Sequence, residues 1–206
     1  MRRTPEEIKT CVEDLLSRMT LEEKIGQMVQ SAGADTTAIG GEVKTSPLEG
    51  LIAEGKIGSI IYMPDSAAMA RRLQRIAVEK SRLGIPLIFC QDVIHGFQTI
   101  FPIPLGWSCS FDPDLVRRAT EISAREATRA GVMLAFAPML DIARDPRWGR
   151  ISEGAGEDPF LDACMARAEV LGYQGGEGGQ GLGDGEHMAC CLKHFVGYGA
   201  AEAGRD

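Results

Sequence analysis

Residues 86–96 read P-L-I-F-C-Q-D-V-I-H-G. Five apolar or small residues run without a polar break, and Gln91, Asp92 and His95 then follow before Gly96 ends the segment. An unbroken apolar run of this length is typical of a strand covered on both faces, as in a parallel sheet. Ligands of such sheets bind outside the carboxyl ends of the strands. The stretch therefore predicts a buried strand that delivers an acid and an imidazole to one rim.

Composition and charge exclude several classes of partner. The chain has 206 residues, 44% of them hydrophobic and 25% charged, which is ordinary for a globular protein with one sizeable core. The net charge of −7 and the lack of a basic stripe argue against nucleic acid and anionic membranes as partners. No apolar run approaches the roughly 20 residues of a membrane span. Because no apolar segment follows the two N-terminal arginines, no signal peptide is visible and we expect a cytoplasmic protein.

The cysteines and histidines do not form a metal motif. None of the six cysteines lies in a C-x-x-C pair, and three of them lie inside apolar runs, so we expect free thiols that pack as small hydrophobic groups. The spacing of the three histidines is not typical of a metal site. The sequence therefore predicts neither a metal nor another cofactor.

Helix and strand patterns alternate along the chain. Two capping boxes, T-P-E-E at 4–7 and T-L-E-E at 20–23, predict N-terminal helices within about residues 1–25. The clearest strand patterns lie at 57–63, 86–91, 132–139 and 188–195, and helical patterns lie at 48–54, 66–83, 113–122 and 159–173. Asp65 or Ser66 is expected to cap the second of these helices, and Asp112 and Asp158, each followed by proline, to begin the last two. Loops are expected at 33–47 and around the prolines at 102 and 104. A stretch with seven glycines at 174–186 is typical of a flexible surface loop. Alternation of this kind predicts parallel strands joined by right-handed crossovers.

The position of the polar residues favours a barrel over an open sheet. They follow three different strands, as Asp92 and His95, as the segment 141–150, and as Lys193 and His194. A barrel converges the ends of many strands on one centre, whereas an open sheet focuses its ligand on one crevice. We therefore predict an α/β fold, namely an incomplete (β/α)8 TIM-type barrel with about five of the eight strands.

Two further segments carry groups suited to ligand binding. The segment D-P-R-W-G-R at 145–150 places Arg147 and Arg150 on either side of a tryptophan, which suits either a polyhydroxyl or anionic ligand or a surface network of ion pairs. Lys193 and His194 end an apolar strand, where a lysine is an unusual core residue; in a regular strand their side chains would point to opposite faces. No serine-hydrolase, zinc-protease or nucleotide-loop signature occurs. The rim suits a small neutral polar ligand such as a sugar.

The motifs taken together resemble those of glycoside hydrolase family 3, the β-glucosidase family. Q-D-V-I-H-G, D-P-R-W-G-R-I-S-E-G-A-G-E-D-P and L-K-H-F-V-G-Y-G match its successive signatures, and T-L-E-E-K-I-G-Q-M and F-P-I-P-L-G-W-S-C-S-F-D also match. The resemblance spans about residues 12–206. It implies that residues 1–206 are the N-terminal part of a catalytic (β/α)8-type barrel, which further domains follow in this family.

The resemblance also implies roles for individual residues. Four residues would contact the hydroxyls of the glycosyl residue in the innermost subsite, namely Asp92, Arg150, Lys193 and His194. His95 and Arg147 would support them. The family retains anomeric configuration, with an aspartate nucleophile and a glutamate acid/base. Both are expected beyond Asp206, so we expect this chain to bind β-linked glucosides or short oligosaccharides without hydrolysing them, and to self-associate through exposed barrel edges.

Three alternatives remain open at this point. The β-N-acetylglucosaminidases of the family carry K-H-F-P-G-H-G, but residues 193–199 lack its proline and second histidine, which favours the glucosidase branch, including β-xylosidases. A non-catalytic sugar-binding remnant is the alternative from another class of protein. A phosphate-binding metabolic barrel is disfavoured, because no glycine-rich loop opens a helix at a strand end.

Overall fold

The computed structural model describes residues 3–33, 48–62 and 67–201. The chain forms two compact units, Met1–Phe89 and Cys90–Asp206. The described helices are α1 (Pro5–Arg18), α2 (Leu21–Met28), α3 (Leu48–Ala53), α4 (Ala67–Lys80), α5 (Pro104–Ser108), α6 (Pro113–Ala130) and α7 (Pro159–Gln174). The strands are β1 (Gln30–Ala32), β2 (Ser59–Ile61), β3 (Ile88–Gln91), β4 (Leu134–Ala135) and β5 (Ala189–Cys190). They form a parallel sheet in the order β1-β2-β3-β4-β5, which confirms the predicted α/β class with parallel strands.

The first two helices begin at the predicted capping boxes. In α1 the Thr4 hydroxyl accepts a hydrogen bond from the Glu7 backbone N–H at 3.3 Å, and the Glu7 carboxylate accepts one from the Thr4 N–H at 2.6 Å. Thr20 and Glu23 form the same reciprocal pair at the start of α2. These bonds satisfy N–H groups that have no partner within the helix, so a four-residue motif is enough to fix where each helix begins.

Helices α3 and α4 of the first unit share one apolar core with the short strand β2. β1 and β2 pair in parallel, with Ser31 opposite Ile60, and β3 begins beside β2 where the Ile88 N–H donates to the Gly58 carbonyl at 3.1 Å. Ile60 is fully buried against the inner face of α4. The strand predicted at 57–63 is shorter in the structure. Apart from Gly33, the predicted loop at 33–47 lies outside the described residues, and so does the predicted helix cap at Asp65 or Ser66.

The second unit contains the strand ends that carry the polar motifs. Gln91 of β3 lies opposite Ala135 of β4, and Ala135 lies opposite Cys190 of β5. Helices α6 and α7 begin at the predicted aspartates, whose side chains accept backbone hydrogen bonds from Leu115 and Phe160. Helix α5 lies in a segment predicted to be a loop because of its two prolines. A proline at the first helical position is compatible with a helix, since its missing N–H has no partner there.

A single glycine allows α6 and α7 to pack closely. A Cβ atom at Gly172 would lie 1.9 Å from the Thr120 hydroxyl and 2.7 Å from the Arg117 carbonyl oxygen. The next residue, Tyr173, is fully buried and donates its hydroxyl hydrogen bond to the Val93 carbonyl. The close contact between the helices therefore fixes the position of the chain directly after Asp92.

The glycine-rich segment 174–186 is folded around one histidine ring. Cβ atoms at Gly175 and Gly181 would lie 2.8 Å and 2.5 Å from the Nδ1 atom of His187. The same Nδ1 atom lies 2.7 Å from the Asp184 carboxylate, which also accepts the backbone N–H groups of Glu186 and His187. Two of these glycines are therefore needed for close packing, which the prediction of a flexible loop does not capture.

The cysteines confirm the prediction of free thiols. All six are free, and Cys90 is buried. Burial raises the pKa of Cys90 and of Cys190 to about 11 in each case. Because the thiolate is the reactive form of cysteine, these two residues act as packing groups at neutral pH.

Helix α7 buries a carboxyl group without a hydrogen-bond donor among the described residues. Glu169 lies on its inner side and is almost fully buried. Burial, and to a smaller extent the charge of Asp162, raise the pKa of Glu169 from its usual 4.5 to about 8. The side chain is therefore protonated at neutral pH in the folded protein, since an unpaired charge would cost more at this position.

We predict that Glu169 makes the protein less stable as the pH rises. Its pKa is higher in the folded than in the unfolded state, so between about pH 4.5 and pH 8 the unfolded chain releases a proton that the folded chain retains. The free energy of unfolding should fall by up to ~1.4 kcal/mol per pH unit on this account. Glu169→Gln should remove this pH-dependent part of the free energy of unfolding. In urea unfolding, the free energy of unfolding of the variant relative to the wild type should therefore rise from pH 5 to pH 8.

The matched control for this prediction is Glu79→Gln, an exposed glutamate within α4. Its stability difference from the wild type should be independent of pH. A difference for Glu169→Gln that is equally flat from pH 5 to pH 8 would contradict the assignment of a raised pKa.

Candidate functional site

The polar residues of the second unit meet at the carboxyl ends of three parallel strands. Asp92 follows β3, Asp141 lies a few residues beyond β4, and Lys193 lies beyond β5. The segments after β4 and β5 run side by side, because Met139 pairs in parallel with Lys193 and the Leu140 N–H donates to the Lys193 carbonyl at 2.7 Å. This edge is where a parallel α/β fold places its ligands.

The first pair of charges at this edge is Asp92 with Lys193. The Lys193 ammonium donates to Asp92 Oδ1 at 2.9 Å. The lysine side chain is only 12% exposed and the aspartate side chain 29% exposed. A lysine this deeply buried needs a charged partner, because an unpaired ammonium in such a place is costly.

The second pair is His194 with the buried Asp141. The Oδ2 atom of Asp141 accepts hydrogen bonds from both the backbone N–H of His194, at 3.0 Å, and its ring Nδ1, at 2.8 Å. The aspartate side chain is 2% exposed. One carboxylate oxygen therefore holds both the main chain and the ring of His194.

Arg150 completes the group on the other side of His194. Its guanidinium forms two hydrogen bonds with the Glu153 carboxylate, of 2.7 Å from Nε and 2.6 Å from Nη2. These bonds hold the pKa of Arg150 above its usual value. The remaining nitrogen, Nη1, lies 3.3 Å from Nε2 of His194. A bidentate clamp of this kind fixes the direction in which the guanidinium points.

Aromatic rings fix the positions of His194 and Arg150. The Tyr198 ring lies edge-on to the His194 ring at 4.9 Å, and the Arg150 guanidinium carbon lies 5.4 Å from the Tyr198 ring centroid. Tyr198 in turn contacts the buried Trp148 edge to face. A Cβ atom at Gly199 would lie 2.4 Å from the Ile142 carbonyl oxygen, so this approach of the chain requires glycine.

The two predicted supporting residues have partners other than these four side chains. The Nδ1 atom of His95 lies 3.0 Å from the Phe101 carbonyl oxygen, a contact that closes the loop after β3. Arg147 is 70% exposed and forms a bidentate pair with Asp145. The structure therefore brings together the four predicted ligand-binding residues as two local groups, while Arg147 lies at the surface.

The expectation that the side chains of Lys193 and His194 point to opposite faces requires a regular strand at these residues. The structure has no regular strand there. Strand β5 ends at Cys190, so the alternation of side chains does not extend to residue 193. The adjacent side chains instead reach two different carboxylates, those of Asp92 and Asp141.

Three residues of this site were missed by the sequence analysis as site residues: Asp141, Glu153 and Tyr198. Asp141 follows the predicted fourth strand closely, much as Asp92 follows the third, which is a signal that could have singled it out. The separation of three residues between Arg150 and Glu153 is another such signal, since it allows contact within one helical turn.

The match to a family model agrees with the resemblance seen in the motifs. The model described as "Glycosyl hydrolase family 3 N terminal domain" matches residues 20–206. The chain belongs to glycosyl hydrolase family 3. Its parallel α/β fold is that of the incomplete TIM-type barrel predicted from the sequence.

Two curated relatives and one solved structure illustrate the similarity. The periplasmic beta-glucosidase of Salmonella typhimurium is 39% identical over 203 residues, which are 98% of this chain and 25% of that protein. The periplasmic beta-glucosidase/beta-xylosidase of Dickeya chrysanthemi is 35% identical over 94% of this chain and 32% of that protein. The beta-glucosidase from Listeria innocua in complex with glucose is 45% identical, with a TM-score of 0.82 over 95% of this chain and 28% of that one.

The chain thus spans between a quarter and a third of the length of these proteins. What it has in common with them is the family and the fold of the N-terminal domain. The four residues implicated by the motifs lie inside the matched range, and the contacts described above are those of this chain.

We predict that Asp92 and Lys193 are energetically coupled. Asp92→Asn and Lys193→Met should each lower the free energy of unfolding by about 1–3 kcal/mol, since each removes an ion pair whose lysine side chain is only 12% exposed. The double variant should lose less than the sum of the two. A double-mutant cycle in urea unfolding measures the difference.

The exposed pair of Lys9 and Glu13 on α1 is the control for this cycle. Its charges lie 4.0 Å apart and both side chains are largely in solvent, so their coupling should be close to zero. Equal coupling in the two cycles would show that burial does not strengthen the pair of Asp92 and Lys193.

Proposed function

We propose that this chain provides the glycosyl-binding residues of a retaining, exo-acting β-glucosidase, which releases terminal non-reducing β-D-glucosyl residues. The observation that carries the proposal is the alternation of hydrogen-bond acceptors and donors at the strand ends. The Asp92 carboxylate lies next to the Lys193 ammonium, and Nε2 of His194 lies next to the Arg150 guanidinium. A sugar hydroxyl both donates and accepts a hydrogen bond, so each neighbouring acceptor and donor suits one hydroxyl.

These contacts are suited to catalysis as well as to binding. Hydrogen bonds to sugar hydroxyls strengthen as the ring approaches its oxocarbenium-like transition state and supply several kcal/mol. Asp92 is the charged acceptor of the group. Arg150 and Lys193 are held by carboxylates before any ligand arrives, so little reorganisation is required.

In this proposal the nucleophile and the acid/base belong to a longer protein and lie beyond Asp206. Three carboxylates lie at the described site, and each already has a partner: Asp92 has Lys193, Asp141 has His194, and Glu153 has Arg150. The span of the chain, about a quarter to a third of the relatives' length, supports this division. The chain by itself then binds glucosides and does not hydrolyse them.

β-Linked glucosides and short oligosaccharides are the ligand class that we propose. The Listeria innocua enzyme has been solved with glucose, with isofagomine and, as a mutant, with laminaribiose. A β-xylosidase activity is the second candidate, since the Dickeya relative carries both names. The segment 193–199 lacks the second histidine of the β-N-acetylglucosaminidase motif, which places that activity third.

Substitution of Asp92 provides the direct test. In a full-length protein that contains this chain, Asp92→Ala should lower kcat/KM for an aryl β-glucoside by roughly 10²- to 10³-fold, the equivalent of several kcal/mol. Asp114→Ala, an exposed aspartate in the first turn of α6, is the matched control and should retain the wild-type value. Equal values for the two variants would contradict the binding role of Asp92.

The same assay tests the other parts of the proposal. The 206-residue chain should show no turnover of the aryl β-glucoside, and hydrolysis by it would contradict the division of catalytic residues. In a panel of aryl glycosides the full-length protein should prefer the glucoside to the xyloside and to the N-acetylglucosaminide. Preference for the N-acetylglucosaminide would overturn the branch assignment.

Self-association and cellular location belong to the same proposal. Leu192, Phe195 and Val196 are exposed apolar residues beyond β5, and open strand edges favour pairing with another chain. Light scattering during gel filtration should therefore show association of the 206-residue chain that rises with concentration.

No helix of the described residues is long and apolar enough to cross a membrane. The cytoplasmic location stays a prediction, which cell fractionation tests, since some relatives are named periplasmic.

A further inference from the structure

One oxygen of the buried Asp141 carboxylate is occupied by a single neighbour, His194. The Oδ2 atom of Asp141 accepts two hydrogen bonds, and both come from His194, one from the backbone N–H and one from ring Nδ1. Its side chain is almost fully buried and far less exposed than the His194 ring. Asp141 therefore cannot contact a ligand in place of His194 and acts on the site through it.

The partners of the two ring nitrogens define where the proton of His194 lies. Nδ1 faces the Asp141 carboxylate, which only accepts hydrogen bonds. Nε2 faces Nη1 of Arg150, which only donates. A proton on Nε2 would place two donors against each other, whereas a proton on Nδ1 satisfies both contacts. These two contacts select the tautomer with Nδ1 protonated and a lone pair on Nε2, which is the reverse of the tautomer favoured by free histidine.

We propose that Asp141 is a positioning residue that holds His194 in this tautomer. When a sugar binds, a glycosyl hydroxyl replaces the direct contact between Nε2 and Nη1 of Arg150: it donates to Nε2, and its oxygen accepts a hydrogen bond from Nη1. The inference rests on the proposed function and deepens it. It adds a residue that does not contact the sugar, and it specifies the direction of one hydrogen bond to it. Without Asp141 the ring is free to present an N–H where the hydroxyl also needs an acceptor.

Neighbouring side chains prevent the Arg150 guanidinium and the His194 ring from moving to accommodate a proton on Nε2. Glu153 clamps Nε and Nη2 of Arg150, so the guanidinium cannot rotate away from Nε2 of His194. The Tyr198 ring packs against both the imidazole and the guanidinium. The orientation of His194 is therefore established before a ligand binds. A positioning residue contributes to affinity and rate by fixing a ligand-binding group in this way.

The tautomer can be measured without any activity. In ¹⁵N-labelled chain, long-range ¹H–¹⁵N spectra of the imidazole rings should show a protonated Nδ1 and an unprotonated Nε2 for His194, assigned by comparison with His194→Gln. Asp141→Ala should move the His194 signals towards the Nε2-protonated form. Asp141→Asn retains a carbonyl oxygen for Nδ1–H and should preserve the wild-type signals. Asp114→Ala is the matched control. A wild-type His194 protonated on Nε2, or signals unchanged in Asp141→Ala, would overturn the proposal.

A kinetic cycle in the full-length protein tests the consequence for the site. Asp141→Ala should lower kcat/KM for the aryl β-glucoside by about 10- to 100-fold, as expected for a residue that orients a ligand-binding group. In a His194→Ala background the same change should have little further effect, because Asp141 acts through His194. Asp141→Asn should recover part of the loss. An equal loss in both backgrounds would show a merely structural role and overturn the inference.

The two experiments separate this inference from the proposed function. If Asp92→Ala leaves kcat/KM unchanged, the sugar-binding assignment of the site fails, and the imidazole spectra still decide whether Asp141 sets the tautomer. If Asp92→Ala has its expected effect and the His194 background abolishes the effect of Asp141→Ala, both are supported.

Discussion

The ion pair between Lys193 and Asp92 joins the ends of β5 and β3 across 101 positions of the sequence. The lysine side chain is only 12% exposed, so its charge is costly at that position without the aspartate. The pair can form only if the intervening strand β4 and helices α6 and α7 bring the two strand ends to one edge of the sheet. The chemistry of the site therefore depends on the complete packing of the second unit.

The contact between α6 and α7 provides part of that packing. Gly172 allows the helices to approach until only a hydrogen atom fits beside Thr120. The neighbouring Tyr173 then reaches the backbone of Val93, the residue that follows Asp92. A substitution at Gly172 would consequently act on the position of a ligand-binding carboxylate as well as on stability.

Charge at the site is distributed in local pairs of opposite sign. Lys193 has Asp92, Arg150 has Glu153, and the His194 ring lies between Asp141 and Arg150. This arrangement fixes the direction of each donor and acceptor and leaves no uncompensated positive charge. Such a group suits hydroxyls better than a free anion, which would require uncompensated positive charge. The same helix that supports the site also buries Glu169, which remains protonated because no described group can neutralise its charge.

Features that depend on near neighbours were predictable from the sequence alone. The caps at Thr4, Thr20, Asp112 and Asp158 were predicted correctly, because a cap involves residues two or three positions apart. The apolar runs located the strands, and the motifs identified the family. Strand ends were predicted less well, since they depend on pairing with residues far away in the chain. Helix α5 was missed for a different reason, since the prolines at 102 and 104 indicated a loop.

Which of the candidate residues act together follows only from the tertiary fold. The tertiary fold brings together His194 and Asp141, which are 53 positions apart, and Arg150 and His194, which are 44 positions apart. It leaves Arg147 paired with Asp145 at the surface. Nothing in the spacing of these residues distinguishes the two arginines. Their burial and partners follow from how the strand ends converge, and that is a property of the folded chain.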